Sequence, residues 1–168
     1  MANLKVDYKR VARNLGLTVL VVFACLAINV ATVPFYRLEV PTYVTQEEVQ
    51  AVQAQQMAKP WYDLVVTGPA MEELLMRGPV FMVLLVLMSV RLDGRRFFKY
   101  LLYGMVILAG AWFGIMHVLN GGAYLCPSRI VAISLQGVLF GALMLRTRNI
   151  LHPVLAHGGF NALVLGLV

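Results

Sequence analysis

Charge is scarce in this sequence: 13% of its 168 residues are Asp, Glu, Lys or Arg, while 60% are hydrophobic. An ordinary soluble domain carries about twice that charged share. The mean hydropathy of +0.77 accordingly points to a chain that lives in lipid. Cysteine is nearly absent. Cys25 lies inside an apolar run and Cys126 in a short loop, which argues against a disulfide, and no CxxC pair or Cys/His zinc spacing occurs. Repeats and low-complexity stretches are lacking as well. So is a signal-peptide cleavage site. The first apolar run is too long for an h-region and is followed by Val33-Pro34-Phe35-Tyr36, so it reads as an anchor. The net charge of +6 does not mark a nucleic-acid groove, because the basic residues sit at the ends of apolar runs as topology signals.

What is there is a series of apolar runs of membrane length. A spanning helix needs about 20 apolar residues, and spans are predicted at Asn14–Tyr36, Pro69–Val90, Tyr100–Leu119, Arg129–Leu145 and Ile150–Val168. The fold class is therefore all-α, a polytopic membrane helix bundle with about five transmembrane helices. Residues 1–60 form an N-terminal anchor helix and a polar connector, and residues 61–168 a core. In the connector, Thr45 and Glu48 match a capping box and predict a short helix outside the bilayer. Trp61 and Tyr62 read as interfacial anchors. Gly68-Pro69 is expected to break whatever precedes it, with Pro69 in the first turn of the second span. Pro79 should kink that span. Gly137 and Gly141 are spaced as small-xxx-small, suited to close helix contact. If every run crosses, ten of the fourteen Lys and Arg residues fall on one side and three on the other, with Arg77 inside a span. The positive-inside rule then makes the N-terminus cytoplasmic and the connector extracytoplasmic.

Few strongly polar groups remain inside the spans: Asn29, Glu72, Glu73, Arg77, His117, Gln136, His157 and Asn161. Ionisable groups at membrane depth are costly and tend to mark function. Glu73 and Arg77 are four apart with Glu first, the favourable order for an ion pair on one helix face. Glu72 lies about 100° around the helix and has no such partner, so it is the carboxylate left for chemistry. His157 and Asn161 are four apart and share a face. Singly, a histidine or Asn161 is as readily an interhelical hydrogen-bonding group, and Gln136 and Asn29 read as helix-contact residues. Together, Glu, His, His and Asn from three helices are the parts of a water-activating hydrolase. The carboxylate and one histidine would take a proton from water, and the second histidine and the amide would donate to an oxyanion. On these boundaries His157 lies only about 10 Å above the cytoplasmic end of its span. The four groups therefore meet only if the fifth helix starts deep or is tilted.

Glu-Glu-x-x-x-Arg (Glu72, Glu73, Arg77), Phe-x-x-x-His (Phe113, His117) and His-x-x-x-Asn (His157, Asn161) occur in that order on successive spans. In this the chain, over roughly residues 68–168, resembles the CPBP intramembrane proteases, the group that contains type II CAAX prenyl endopeptidases and bacterial abortive-infection proteins. Met76 departs from the aromatic that usually precedes the arginine. The resemblance implies peptide-bond hydrolysis in a bacterial cytoplasmic membrane. Glu72 and His117 would activate water, His157 and Asn161 would stabilise the oxyanion, and Glu73–Arg77 would hold the helix in shape. It leaves the cofactor open: none for a glutamate-type enzyme, or a divalent metal such as zinc on Glu72, His117 and His157, which would leave one open position.

The implied partner is a membrane-anchored protein or peptide in the bilayer, with a prenylated CAAX-type tail, a C-terminal sorting tail or a leader peptide as substrate. A site toward the extracytoplasmic side favours a sorting tail or a leader. The same Glu and His groups would also serve a small transporter or proton relay, or be dispensable in a non-catalytic assembly or immunity protein. Placement discriminates: a relay strings its titratable groups across the bilayer, whereas a protease gathers them in one cavity.

Overall fold

Long apolar runs punctuated by basic residues can satisfy their backbone in lipid only as helices or closed barrels, and here they are helices. A computed structural model describes residues 7–39, 58–120 and 127–166, with residues 47, 50, 51 and 54 between them; of residues 36–39 and 118–120 it describes the backbone. The expected helix at Thr45–Glu48 and the loop position of Cys126 lie outside the described residues.

Five α-helices are described: α1 Tyr8–Glu39, α2 Gly68–Ser89, α3 Arg96–Asn120, α4 Pro127–Thr147 and α5 Leu151–Gly166. A π-helical turn, Asp63–Thr67, leads into α2, and there is no strand among the described residues. Three helices are long and apolar enough to cross a membrane: Tyr8–Phe35 in α1, Arg96–His117 in α3 and Pro127–Thr147 in α4. The chain is thus an integral membrane helix bundle. The second and fifth predicted spans differ for physical reasons. The α2 helix has the length but carries Glu72, Glu73 and Arg77, and α5 has only 16 residues, about 24 Å against a hydrocarbon core of roughly 30 Å.

The helices pack on two apolar clusters. Val80, Leu84 and Leu87 of α2 meet Leu102 and Val106 of α3 and Met144 of α4. Val22 and Cys25 of α1 meet Phe140 and Leu143 of α4 and Ala156 of α5. Outward-facing Phe23, Met82 and Leu108 are exposed, as lipid contact requires. Near the ends of α1 and α5 the Thr18 hydroxyl donates to the Asn14 carbonyl, so His152 Nδ1–H donates to Thr18 Oγ1 at 3.0 Å. The α2 helix ends at Ser89 with Val90 as its cap, and the next residue, Arg91, whose φ is 57°, lets Leu92 N–H reach back to the Leu87 carbonyl at 2.8 Å, a left-handed cap. The following loop is fastened by Arg148 to Asp93 at 2.6 Å.

The closest crossing joins α3 and α4. The expected close contact at Gly137 and Gly141 is present: Gly137 faces Gly110 of α3 and Gly141 faces Val106, while Gly114 of α3 lies against Ile130 and Ser134. A β-carbon at 114 would lie 2.6 Å from the Ile130 carbonyl oxygen, and one at 137 would lie 3.0 Å from the α-carbon of Gly110. Gly114→Leu is expected to push the helices apart and lower stability by about 1–3 kcal/mol, measured by reversible unfolding in mixed micelles. Unchanged stability would show that the crossing does not need the missing side chain.

Candidate active site

The Gly68-Pro69 pair does not break the chain, contrary to the expectation for that dipeptide. Proline brings no N–H, so the carbonyl of Val65 cannot receive the bond a continuous α-helix would give it. The backbone widens instead, and Gly68 N–H goes back to the Asp63 carbonyl, five residues away. That register leaves the Leu64 carbonyl without the Gly68 donor, and Asn161 of α5 takes it: Nδ2–H donates to Leu64 O at 2.8 Å. The Val65 carbonyl packs on Gly158, where a β-carbon would overlap it. A π turn at a functional site is a recurrent device; here it docks the start of α2 on α5.

That docking brings the charged groups together. Glu73 is 0% and Arg77 1% exposed, and Arg77 NH1 lies 2.7 Å from Glu73 Oε2, the ion pair read from their spacing. Those two atoms are not aligned as a hydrogen bond, so the contact is one of charge. Arg77 NH2 donates to the Gly137 carbonyl at 2.9 Å. Its guanidinium also lies 4.8 Å from the Phe113 ring centre and 5.6 Å from that of Phe140, within cation–π range. The second oxygen of Glu73, Oε1, is 3.1 Å from His157 Nδ1. A carboxylate only accepts, so His157 donates there from Nδ1–H and its Nε2 is directed elsewhere. Phe140 stacks on the His157 ring at 5.1 Å and Phe113 meets it edge-on at 5.7 Å.

His117 is held in the same way. Its Nδ1 lies 3.2 Å from the Phe113 carbonyl, an acceptor, so Nδ1–H donates and Nε2 is again the free end. Both free ends face Glu72, whose Oε2 is 3.4 Å from His117 Nε2 and 3.7 Å from His157 Nε2. The Glu72 side chain is 40% exposed, yet Oε2 itself is buried and in no hydrogen bond among the described residues. The separations are longer than a good direct N–H···O bond, so Glu72 and the two imidazoles meet as a close polar contact.

A cavity of about 380 Å³ opens beside these groups, and His117, His157 and Asn161 line it. Glu72 reaches the two imidazoles from the α2 side and is not part of the wall. His157, six residues into the short α5, meets Glu72 and Glu73. Gln136 does bridge helices, donating to the Cys25 carbonyl of α1 at 3.3 Å, but it also lines the cavity with Asn29 and Val33 of α1. The wall supplied by α1 and the ring partner Phe140 were not foreseen. Only the α4 periodicity Gln136, Phe140 hinted at the latter. Among the described residues no group of three or more His, Cys, Asp or Glu side chains is arranged to hold a metal ion.

Residues 55–163 match the family model described as type II CAAX prenyl endopeptidase Rce1-like. That range takes in Glu72, Glu73, Arg77, His117, His157 and Asn161 and leaves α1 outside. No curated protein and no solved structure matches the chain.

Proposed function

The chain belongs to the type II CAAX prenyl endopeptidase Rce1-like family, a protease family of the membrane, and on that premise we propose that it is an intramembrane endopeptidase using water activated by Glu72 and the two histidines. The observation that carries the reading is the convergence of His117 Nε2 and His157 Nε2 on one carboxylate oxygen, each imidazole fixed by an acceptor at its Nδ1. Water on the exposed side of the Glu72 carboxylate loses a proton to it as the water oxygen attacks the scissile carbonyl carbon. The oxyanion is met by Nε2–H of the protonated His157, whose charge Glu73 balances, and by the second N–H of the Asn161 amide. Collapse breaks the C–N bond, and the proton on Glu72 passes to the leaving amine. His117 orients the carboxylate and the water. The substrate is a membrane-anchored peptide, in a bacterial cytoplasmic membrane with the N-terminus of the chain cytoplasmic. Gathering of the titratable groups at one cavity, instead of along the bilayer, supports hydrolysis over proton relay.

The test is a fluorogenic S-prenylated CAAX peptide added to the purified protein in nanodiscs, with products identified by mass spectrometry. Cleavage at one bond is expected. Absence of cleavage together with pH-driven flux in liposomes would overturn the reading. Gly158→Ala, which forces the Val65 carbonyl off α5 and with it the start of α2, should lower kcat/KM by roughly tenfold or more, since sub-ångström to ångström misplacement carries that cost. Activity equal to that of the parent chain would show that the π turn does not position Glu72.

A further inference from the structure

A peptide in the cavity brings a requirement of its own. Inside a bilayer each backbone N–H or C=O without a partner costs free energy, and an extended segment cannot bond to itself. The wall has to supply both a donor and an acceptor. The polar side chains that line the cavity are Asn29, His117, Arg129, Gln136, His157 and Asn161. His117, His157 and Asn161 serve the hydrolytic steps, and Asn161 already donates one N–H to the Leu64 carbonyl. Arg129 carries donors and no acceptor. Gln136 is drawn to α1, where it donates to the Cys25 carbonyl at 3.3 Å. Asn29 remains, and a carboxamide offers an acceptor oxygen beside two N–H donors.

Asn29 is partly buried. Its side chain makes no hydrogen bond among the described residues, whereas its main-chain carbonyl accepts from the Thr32 hydroxyl at 3.1 Å. The part of a helix-bridging amide, expected of both Asn29 and Gln136, thus falls to Gln136. The packing of α1 sets where Asn29 stands. Cys25, Asn29 and Val33 are four apart and form one stripe. At Cys25 the stripe is closed against Phe140 and Ala156, while Asn29 and Val33 line the cavity. Ala156 precedes His157, and Phe140 stacks on its ring, so Cys25 marks the level of that imidazole. Asn29 is one turn, about 6 Å, further along α1, on a wall that carries none of the catalytic groups.

We propose that Asn29 is a substrate-binding residue that pairs with the main chain of the peptide, Oδ1 accepting one N–H and Nδ2–H donating to one C=O, as a neighbouring strand would. The inference rests on the peptidase reading above and deepens it. It gives α1, which supplies no catalytic group, the task of holding the peptide extended beside those that do. A rise of about 6 Å is the length of roughly two extended residues, so the clamped residue lies within about two positions of the scissile bond. Because the contact is to main chain, it selects extended backbone and not particular side chains.

The experiment uses one S-prenylated CAAX peptide and a series of analogues in which one backbone N–H after another is replaced by an ester oxygen. Binding is read by fluorescence anisotropy on the full chain in nanodiscs of neutral lipid, with Glu72→Gln present to arrest turnover. Cleavage of the all-amide peptide is read separately on the parent chain. One ester position is expected to weaken binding at least about threefold, as loss of a single neutral hydrogen bond does. Adding Asn29→Ala should weaken the all-amide peptide about tenfold, abolish the sensitivity at that position and leave thermal unfolding unchanged. Asn29→Leu, which keeps the wall filled, should do the same. Absence of binding, or an ester series without a sensitive position, would overturn the clamp. So would a sensitivity that persists in both variants, or lost stability in both with the ester profile intact, which would return Asn29 to helix contact. Coupled loss without any cleavage would keep the clamp and remove the peptidase reading. Cleavage without coupled loss would remove the clamp alone.

Discussion

Glu72→Gln is expected to reduce peptide cleavage by about 10²–10⁴-fold, the range for removal of a positioned acid–base group, with KM little changed. The substitution keeps the size of the side chain and removes only its capacity to accept and return a proton. Glu73 is wholly buried and already shared between Arg77 and His157, so the second carboxylate cannot replace that of Glu72. The fold should survive, because the Glu72 side chain is 40% exposed and its Oε2 anchors no hydrogen bond. Thermal unfolding at the parent temperature with lost turnover is the expected pair of results. Combining it with His117→Ala should cost little more, since groups acting on one water act as a unit. Full activity in Glu72→Gln would sink the mechanism.

Arg77→Met is expected to cost about 3–5 kcal/mol of stability, the penalty for stripping the partner from a buried charge. Three contacts go together: the Glu73 carboxylate, the Gly137 carbonyl and the faces of Phe113 and Phe140. The largest part of the loss is the orphaned carboxylate, so adding Glu73→Gln should restore much of the stability. That double variant should still turn over slowly, because His157 then lacks the carboxylate that fixes its Nδ1 and balances its charge. Stability comes from denaturant unfolding in micelles, turnover from the fluorogenic peptide. A double variant as unstable as Arg77→Met alone would show that the unpaired carboxylate is not what destabilises the single variant. A double variant with parent kcat would show that Glu73 serves the helix and not His157.

The helices were legible in the sequence because lipid permits so few alternatives. Apolar runs ended by Lys and Arg predicted α1, α3 and α4, and the structure extends α1 to Tyr8–Glu39 without changing its place. The Glu73–Arg77 pair was legible too, since a spacing of four on a helix nearly dictates the contact. Contacts between distant segments were not. Glu73 and His157 are 84 positions apart, and nothing in either neighbourhood says that the carboxylate used by Arg77 also serves an imidazole. The π turn escaped for a different reason. Gly68-Pro69 signals a break in local propensity, but proline forbids only its own missing bond, and the chain answered by lengthening one turn. The role of α1 in the cavity wall was hidden because Asn29 and Val33 belong to no motif and act only through the fold.

The π turn also fixes a depth. Trp61 and Tyr62, exposed and packed edge-to-face at 6.3 Å, belong to the class of rings that settle at the headgroup level. Glu72 follows Trp61 by eleven positions of continuous helix, a covalent spacer of at most about 16 Å. The spacer hangs from the interface, so a thicker bilayer adds its extra acyl length beyond the carboxylate and not above it. The extra residue in the π turn also rotates the two rings by about 100° relative to an unbroken α-helix. The distance from the Glu72 carboxylate to the two rings is thus a property of the chain and not of the membrane it enters.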